Sequence, residues 1–183
     1  MTFAQLLAMV VDLLDRASIP YMVTGSLASS FFGEPRSTRD VDVVIDPKAD
    51  GLRRLVDDLR AAGFYVDREA ALQALDFRSQ FNAIASDGSK IDFIVRRDRP
   101  FSIEEFGRRQ PATLLGTSAF VASAEDVIVA KLEWAAASGS DRQLADVAGI
   151  VSVADQLDVA YIERWVGALG LEEAWRTLRP EAR

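Results

Sequence analysis

The chain has 183 residues, which is enough for one domain or for one core with a small addition. It contains neither cysteine nor histidine, which excludes disulfides, thiolate metal centres, thiol nucleophiles and histidine general bases, and leaves oxygen ligands for any metal. Its formal net charge of −7 argues against extended DNA binding, which needs a basic surface.

Helices and short strands alternate in the predicted N-terminal part. Apolar residues at helical spacing and a capping box of Thr2 and Gln5 predict a first helix that ends at Arg16. Because this segment contains aspartates and no basic leader, we expect no signal peptide, no membrane span and a cytoplasmic location. The next predicted elements are a strand over 21–24, a turn at Gly25-Ser26, a helix over 27–32, a strand over 41–45, and a helix that starts at Asp46-Pro47 and is closed by Gly63.

The middle of the chain predicts mainly extended structure. "SDGS" (86–89) centres an Asp-Gly pair between two apolar segments, which is typical of a β-hairpin. The predicted elements are a strand over 64–66, a helix or loop over 68–75, hairpin strands over 77–85 and 90–96, a short helix opening at Ser102, and extended pieces over 112–116 and 120–121.

The last third of the chain predicts helices only. Ser123 and Asp126 form a capping pattern at its start, and breaks are expected at Gly139, near Ala154 and at Gly170. We therefore predict an α/β core over residues 1–122 and a helical C-terminal subdomain over residues 123–183 that packs on it.

Three aspartates occur in predicted strands that are otherwise apolar. Asp40 and Asp42, in "RDVDVVI", are two residues apart and so share one face of their strand. Asp92, in "KIDFIV", is the acid of a second strand. If the strands are neighbours, the three carboxylates meet on one face, where a bound cation relieves their repulsion. The pattern predicts a site for Mg²⁺ or Mn²⁺.

A glycine and a serine directly follow the first predicted strand. Gly25 would let the backbone approach a ligand closely, and the helix after Ser26 would present N–H groups to an anion. The Ser26 hydroxyl can bond a phosphate oxygen. Beside a metal site, this turn predicts a cradle for a triphosphate.

Each of these features also has an ordinary structural interpretation. Asp40 could cap a strand end, Asp42 could face solvent at a sheet edge, and Gly25-Ser26 could be a simple strand-to-helix turn. Their order favours catalysis: a Gly-Ser turn, a short helix, a D-x-D strand, and a third acid in a later strand.

The combined pattern resembles the nucleotidyltransferases of the DNA polymerase β superfamily. The matching stretches are "TGS" (24–26), "RDVDVVI" (39–45) and "KIDFIV" (90–95), and the segment over 25–46 looks most like small AbiEii-type and minimal nucleotidyltransferases. A looser likeness over 123–151 includes Lys131, Asp146 and Asp141. The resemblance implies an α+β fold, with a mixed β-sheet flanked by helices and a C-terminal helical segment.

The resemblance also implies metal-assisted transfer of a nucleoside monophosphate (NMP) from a nucleoside triphosphate (NTP) to a hydroxyl acceptor. Asp40 and Asp42 would hold Mg²⁺ on the triphosphate, and Asp92 would bind a second ion and help to activate the acceptor. The residues expected to bind the nucleotide are Gly25, Ser26, Arg36, Arg39, Lys131 and Asp146.

The partners implied by the resemblance differ in kind. The acceptor could be a tRNA end, a protein hydroxyl or a small molecule such as an aminoglycoside. The likeness to AbiEii-type proteins predicts the toxin of a toxin–antitoxin pair, with a cognate antitoxin protein as partner.

Proteins of three other classes share parts of this pattern. A catalytically silent relative, acting as an antitoxin or interaction partner, would bind NTP without transferring NMP. A phosphatase of the haloacid dehalogenase type usually has Gly-Thr after its D-x-D, whereas Val43-Val44-Ile45 follows here. A dinucleotide-binding fold is disfavoured because no G-x-G-x-x-G follows a strand.

Overall fold

The computed structural model describes residues 1–154 and 156–179, in which helices surround one mixed sheet. The helices are α1 (Phe3–Arg16), α2 (Gly25–Phe32), α3 (Ala49–Ala61), α4 (Arg68–Phe77), α5 (Pro100–Gly107), α6 (Ala124–Ser138), α7 (Asp141–Val153), α8 (Val159–Leu169) and α9 (Glu172–Arg176). The strands are β1 (Tyr21–Val23), β2 (Asp40–Ile45), β3 (Tyr65–Val66), β4 (Gln80–Ile84), β5 (Lys90–Val95), β6 (Gln110–Leu114) and β7 (Thr117–Val121).

The sheet places the two acid-bearing strands side by side. Its strand order is β3-β4-β5-β2-β1-β7-β6, with parallel pairing of β2 to β5 and of β1 to β7 and antiparallel pairing elsewhere. In the β2–β5 register, Asp42 lies opposite Asp92 and Asp40 lies opposite Lys90. The predicted α+β class, with a mixed sheet flanked by helices, is confirmed.

Side-chain alternation gives β2 and β5 one dry face and one polar face. The dry face consists of Val41, Val43 and Ile45 together with Ile91, Phe93 and Val95, all of them fully buried. The opposite face carries Asp40, Asp42, Lys90 and Asp92, all partly exposed. Helix α2 contacts β2, and α6 and α7 contact α2, so the C-terminal helices lie near the acids.

One close backbone approach fixes the position of α7. A Cβ on Gly33, at the end of α2, would lie only 2.7 Å from the backbone nitrogen of Ile150. A single hydrophobic cluster includes Val41 of the sheet and Ile128 and Ile150 of the C-terminal helices. The predicted boundary at residue 123 coincides with the N-cap of α6, but the division into a core and a subdomain stays a prediction. Residues 155 and 180–183 of the predicted helical segment lie outside the described residues.

Several element ends differ from the predictions because caps were assigned to the wrong residue. Helix α2 starts at Gly25 and not at Leu27, so the expected turn is the first turn of the helix. Helix α3 has Lys48 as its N-cap, which leaves Asp46-Pro47 outside it. Helix α5 starts at Pro100, a residue that suits the first helical position. The capping box of Thr2 and Gln5 is confirmed.

None of the helices described here combines the length and the apolar character needed to cross a bilayer.

Candidate active site

Gly25 brings the first turn of α2 against the carboxylate of Asp42. A Cβ at this position would lie 2.0 Å from Oδ2 of Asp42, and φ of Gly25 is +63°. The backbone N–H of Ser26 donates to the same oxygen at 3.4 Å. Only glycine fits here, and the close approach that the sequence predicted for a ligand is made to a carboxylate of the chain itself.

The environment of Asp42 disfavours the ionised form of its carboxyl group. Burial raises its pKa, the N–H of Ser26 opposes that change, and the charge of Asp92 adds to it. The positive charge of Lys131 lowers the pKa and that of Asp40 raises it, each by a smaller amount. The balance is a raised pKa, so a cation bound at Asp42 would stabilise its ionised form.

Lys90 occupies the space between the other two acids. Its Nζ lies 2.7 Å from Oδ2 of Asp92 and 3.7 Å from Oδ2 of Asp40. The hydrogen bond to Asp92 raises the pKa of Lys90. Sequence reasoning missed this lysine, although it stands two residues before Asp92 and must therefore share its face.

The donor set suits a divalent ion that also binds phosphate. Within residues 1–154 and 156–179, no three side chains of the His, Cys, Asp and Glu types are grouped closely enough to hold a metal by themselves. The three aspartates share one face of the sheet, but only Asp42 and Asp92 stand directly opposite each other. One or two carboxylates plus phosphate oxygens is the usual protein environment of Mg²⁺, so this pair fits the ion.

Asp146, on α7, contacts Arg36 and Lys131 directly, and Arg36 extends the contact to Ser26. It accepts hydrogen bonds from Nε of Arg36 at 2.8 Å, from Nη2 of Arg36 at 3.0 Å and from Nζ of Lys131 at 2.7 Å. The same Nη2 also donates to the hydroxyl of Ser26. Gln143 accepts a second hydrogen bond from Lys131 at 2.9 Å. We call Ser26, Arg36, Lys131 and Asp146 the Asp146 cluster.

The charges of the Asp146 cluster stabilise each other. Burial on its own would raise the pKa of Asp146, but hydrogen bonds from Arg36 and Lys131 hold it below its ordinary value. Burial lowers the pKa of Lys131, against the effect of Asp146. Nη1 of Arg36 is buried and has no hydrogen-bond partner among the described residues, so it can donate a hydrogen bond to an anion.

A cavity of about 350 Å³ lies over this face of the sheet. We call it the carboxylate cavity. Its lining includes Gly25, Ser26, Asp42, Lys90, Asp92, Lys131, Gln143 and Trp134. Asp40, Arg36, Arg39 and Asp146 are not part of the lining, although Arg36 and Asp146 contact lining residues directly. Arg39 is exposed and makes no side-chain hydrogen bond or ion pair among the described residues.

The family model described as aminoglycoside-2''-adenylyltransferase matches residues 6–150 of the chain. This match spans β2 and β5, the first turn of α2, and Asp146 of α7. No match was found among curated protein sequences.

Solved structures resemble the chain in fold. ANT(2'')-Ia in complex with adenylyl-2''-tobramycin has a TM-score of 0.66 at 17% identity, over 94% of this chain and 99% of that one. Lincomycin-bound lincosamide antibiotic adenylyltransferase LnuA has a TM-score of 0.58 at 13% identity, over 84% and 99%. An antigenic nucleotidyltransferase-like protein from Paracoccidioides brasiliensis has a TM-score of 0.56 at 17% identity, over 98% and 94%.

Proposed function

The chain belongs to the aminoglycoside-2''-adenylyltransferase family, and from this premise we propose how its residues transfer a nucleotide. It is a nucleotidyltransferase, which moves NMP from an NTP to a hydroxyl acceptor. The observation that carries the proposal is the register of β2 and β5, which sets Asp42 opposite Asp92 next to the Asp146 cluster.

The proposed metal site consists of Asp42 and Asp92, with Asp40 at its outer edge. Bound Mg²⁺ would neutralise charge on the triphosphate and orient its phosphates. Asp42 supports this assignment because burial already disfavours its charge, which an adjacent cation would compensate. Asp40 is more open to solvent, with 46% of its side chain exposed, so we assign it the weaker hold on the ion.

The proposed triphosphate site is the Asp146 cluster together with the first turn of α2. Nη1 of Arg36 is a buried donor that a phosphate oxygen would satisfy, and Lys131 lines the cavity as a point charge. Asp146 holds both cations in place and does not itself face the phosphates. Arg39, exposed before β2, would contact the outer part of the nucleotide.

The proposed reaction forms one bond and breaks one. The acceptor oxygen bonds to the α-phosphorus, the bond from that phosphorus to the bridging oxygen breaks, and pyrophosphate leaves. The proton of the acceptor hydroxyl passes to the carboxylate of Asp92, which Lys90 contacts at 2.7 Å. Catalysis then rests on positioning and charge neutralisation, without histidine or cysteine.

We propose a small molecule as the acceptor. The family description and the net charge of −7 both favour it over a tRNA end, which needs a basic surface. The toxin–antitoxin role, the antitoxin partner and the cytoplasmic location remain predictions based on the likeness to AbiEii-type proteins.

The first test measures transfer directly. We expect label to appear on a small molecule when the protein is incubated with Mg²⁺, a cell extract and each of the four α-labelled NTPs in turn. The same mixtures with EDTA should give none. Nucleotide that binds with Mg²⁺ but never leaves its label on any small molecule, RNA or protein would favour the catalytically silent alternative.

Lys90 allows a test of the metal site that does not depend on activity. Its ammonium lies where a divalent ion bound by Asp92 would be repelled. At saturating non-hydrolysable ATP, we expect Lys90→Met to bind Mn²⁺ about tenfold more tightly, because a positive charge a few ångströms away is removed. Titration of Mn²⁺ followed by electron paramagnetic resonance gives the affinity.

Lys48→Met is the matched control, since Lys48 is exposed at the start of α3 and lies outside both the metal site and the cavity. We expect it to bind Mn²⁺ as the unchanged protein does. If both variants bound Mn²⁺ with equal affinity, Lys90 and its carboxylate partners would not be part of the metal site.

A further inference from the structure

A second cavity, of about 380 Å³, adjoins the carboxylate cavity. We call it the arginine cavity. The two share the wall residues Thr24, Gln80, Ile94, Ala130 and Trp134. Trp134 is half exposed, so its ring offers an apolar surface to a molecule in either cavity. A molecule in the arginine cavity would therefore lie beside the carboxylates.

Four arginines line this cavity, and three of them already have carboxylate partners. Arg78 and Arg96 each contact both Asp46 and Asp98. Arg99 forms a bidentate ion pair with Glu133.

Arg97 is the fourth arginine of the lining. Its side chain makes no ion pair and donates no hydrogen bond within residues 1–154 and 156–179. These four arginines and their three carboxylate partners thus leave one uncompensated positive charge, on Arg97, in a chain whose net charge is −7.

Glu105 is the one other acid of the lining, and it is buried without a partner. Only 9% of the residue is exposed, and its carboxyl makes no hydrogen bond and no ion pair among the described residues. Burial raises its pKa to about 8, helped by Asp126 and Glu133 and opposed by Arg99 and Arg97. At neutral pH the group is therefore mostly a neutral carboxylic acid, which can donate a hydrogen bond and does not repel an anion.

We propose that the arginine cavity binds the NMP acceptor and that this acceptor is an acidic hydroxyl compound. Its carboxylate or phosphate pairs with the guanidinium of Arg97, its apolar part lies against Trp134, and Glu105 donates a hydrogen bond to it. A molecule with several ammonium groups would instead meet four guanidinium groups and a single carboxylate that already has a partner. This inference rests on the proposed function, because it names the acceptor of that transfer.

The first experiment separates acceptors by charge. A metabolite extract is divided by ion exchange into cationic, neutral and anionic pools, and each pool is incubated with the protein, Mg²⁺ and α-labelled NTP. Tobramycin serves as a defined polycation. We expect at least about tenfold more labelled product from the anionic pool than from tobramycin or the cationic pool, because guanidinium pairs with an anion and repels ammonium.

Two other outcomes are distinguishable. Label that goes mainly to tobramycin, the cationic pool or the neutral pool overturns the acidic acceptor and leaves the nucleotidyltransferase function intact. No transfer to any pool contradicts the proposed function and this inference together.

Arg97→Glu tests the anchoring residue. At a limiting amount of the anionic pool, we expect transfer to fall by about tenfold or more and to recover as more of the pool is added, with the KM for NTP unchanged, because the charge that pairs with the anion is reversed. Arg60→Glu makes the same charge change at an exposed position of α3, outside the cavity lining. Equal effects of the two variants would mean that Arg97 acts only through net charge.

Glu105→Gln tests the neutral acid. The charged groups that face Glu105 are Asp126, Glu133, Arg99 and Arg97. When pH rises through about 8, the carboxyl ionises and repels an anionic acceptor, so the initial rate of transfer to a limiting amount of the anionic pool should fall by about tenfold between pH 7 and pH 9. We expect Glu105→Gln to remove most of this fall, and an identical fall in both proteins would exclude Glu105 from the acceptor site.

Discussion

Asp42→Asn is expected to lower NMP transfer by at least about 10³-fold, which corresponds to the loss of roughly 4 kcal/mol of transition-state stabilisation. The amide has the shape of the carboxylate and still accepts the N–H of Ser26, so the first turn of α2 keeps its place. What is lost is the charge that holds a divalent ion opposite Asp92. The measurement is single-turnover transfer from labelled NTP.

The same substitution is expected to raise the melting temperature in the absence of metal. Because the pKa of Asp42 is raised in the folded chain, the folded state binds more protons, and stability falls as pH rises from the ordinary pKa of 3.8 through the raised value. A neutral amide removes that penalty at neutral pH. An inactive variant that melts at a higher temperature than the unchanged protein cannot owe its inactivity to unfolding.

Asp76→Asn is the matched control for Asp42→Asn. Asp76 is exposed on α4, makes no ion pair among the described residues and lies outside both cavities. It should transfer NMP at the rate of the unchanged protein. If Asp42→Asn did the same, Asp42 would not be a metal ligand.

Side-chain alternation along the strands was enough to predict the acidic face of the candidate site. Alternation along a strand put Asp40 and Asp42 on one face, and the adjacency of β2 and β5 was the one tertiary assumption that had to be made. That assumption is confirmed by the register that pairs Asp42 with Asp92. The same alternation rule would also have identified Lys90, two residues before Asp92.

The rest of the site depends on packing that no local pattern encodes. Arg36 and Asp146 are 110 residues apart in the sequence, and they meet because α7 lies against the end of α2 at Gly33. Glu105 looks like an ordinary capping partner of Ser102 in the sequence, yet α5 starts two residues earlier, and the residue is buried at a cavity wall. Long-range contacts of this kind follow from the assembled fold alone.

Asp146→Asn is expected to cost the fold about 3–5 kcal/mol, because it leaves two cations without their charge partner in a place where water is largely excluded. Asp146 has 7% of its side chain exposed and Lys131 has 5%. The lowered pKa of Asp146 means that its contribution is fully present above the ordinary pKa of 3.8 and is lost as pH falls through the lower folded value. Thermal unfolding at neutral pH measures the loss.

Nucleotide distinguishes a phosphate site from a purely structural ion pair. If Arg36 and Lys131 face the triphosphate, ATP supplies the negative charge that Asp146→Asn removes, so ATP should raise the melting temperature of the variant by more than it raises that of the unchanged protein. Asp141→Asn, at the exposed start of the same helix, should respond to ATP as the unchanged protein does. If ATP raised the melting temperature of Asp146→Asn by less than it raises that of the unchanged protein, Arg36 and Lys131 would not bind phosphate. In that case ATP would not replace the charge lost at Asp146.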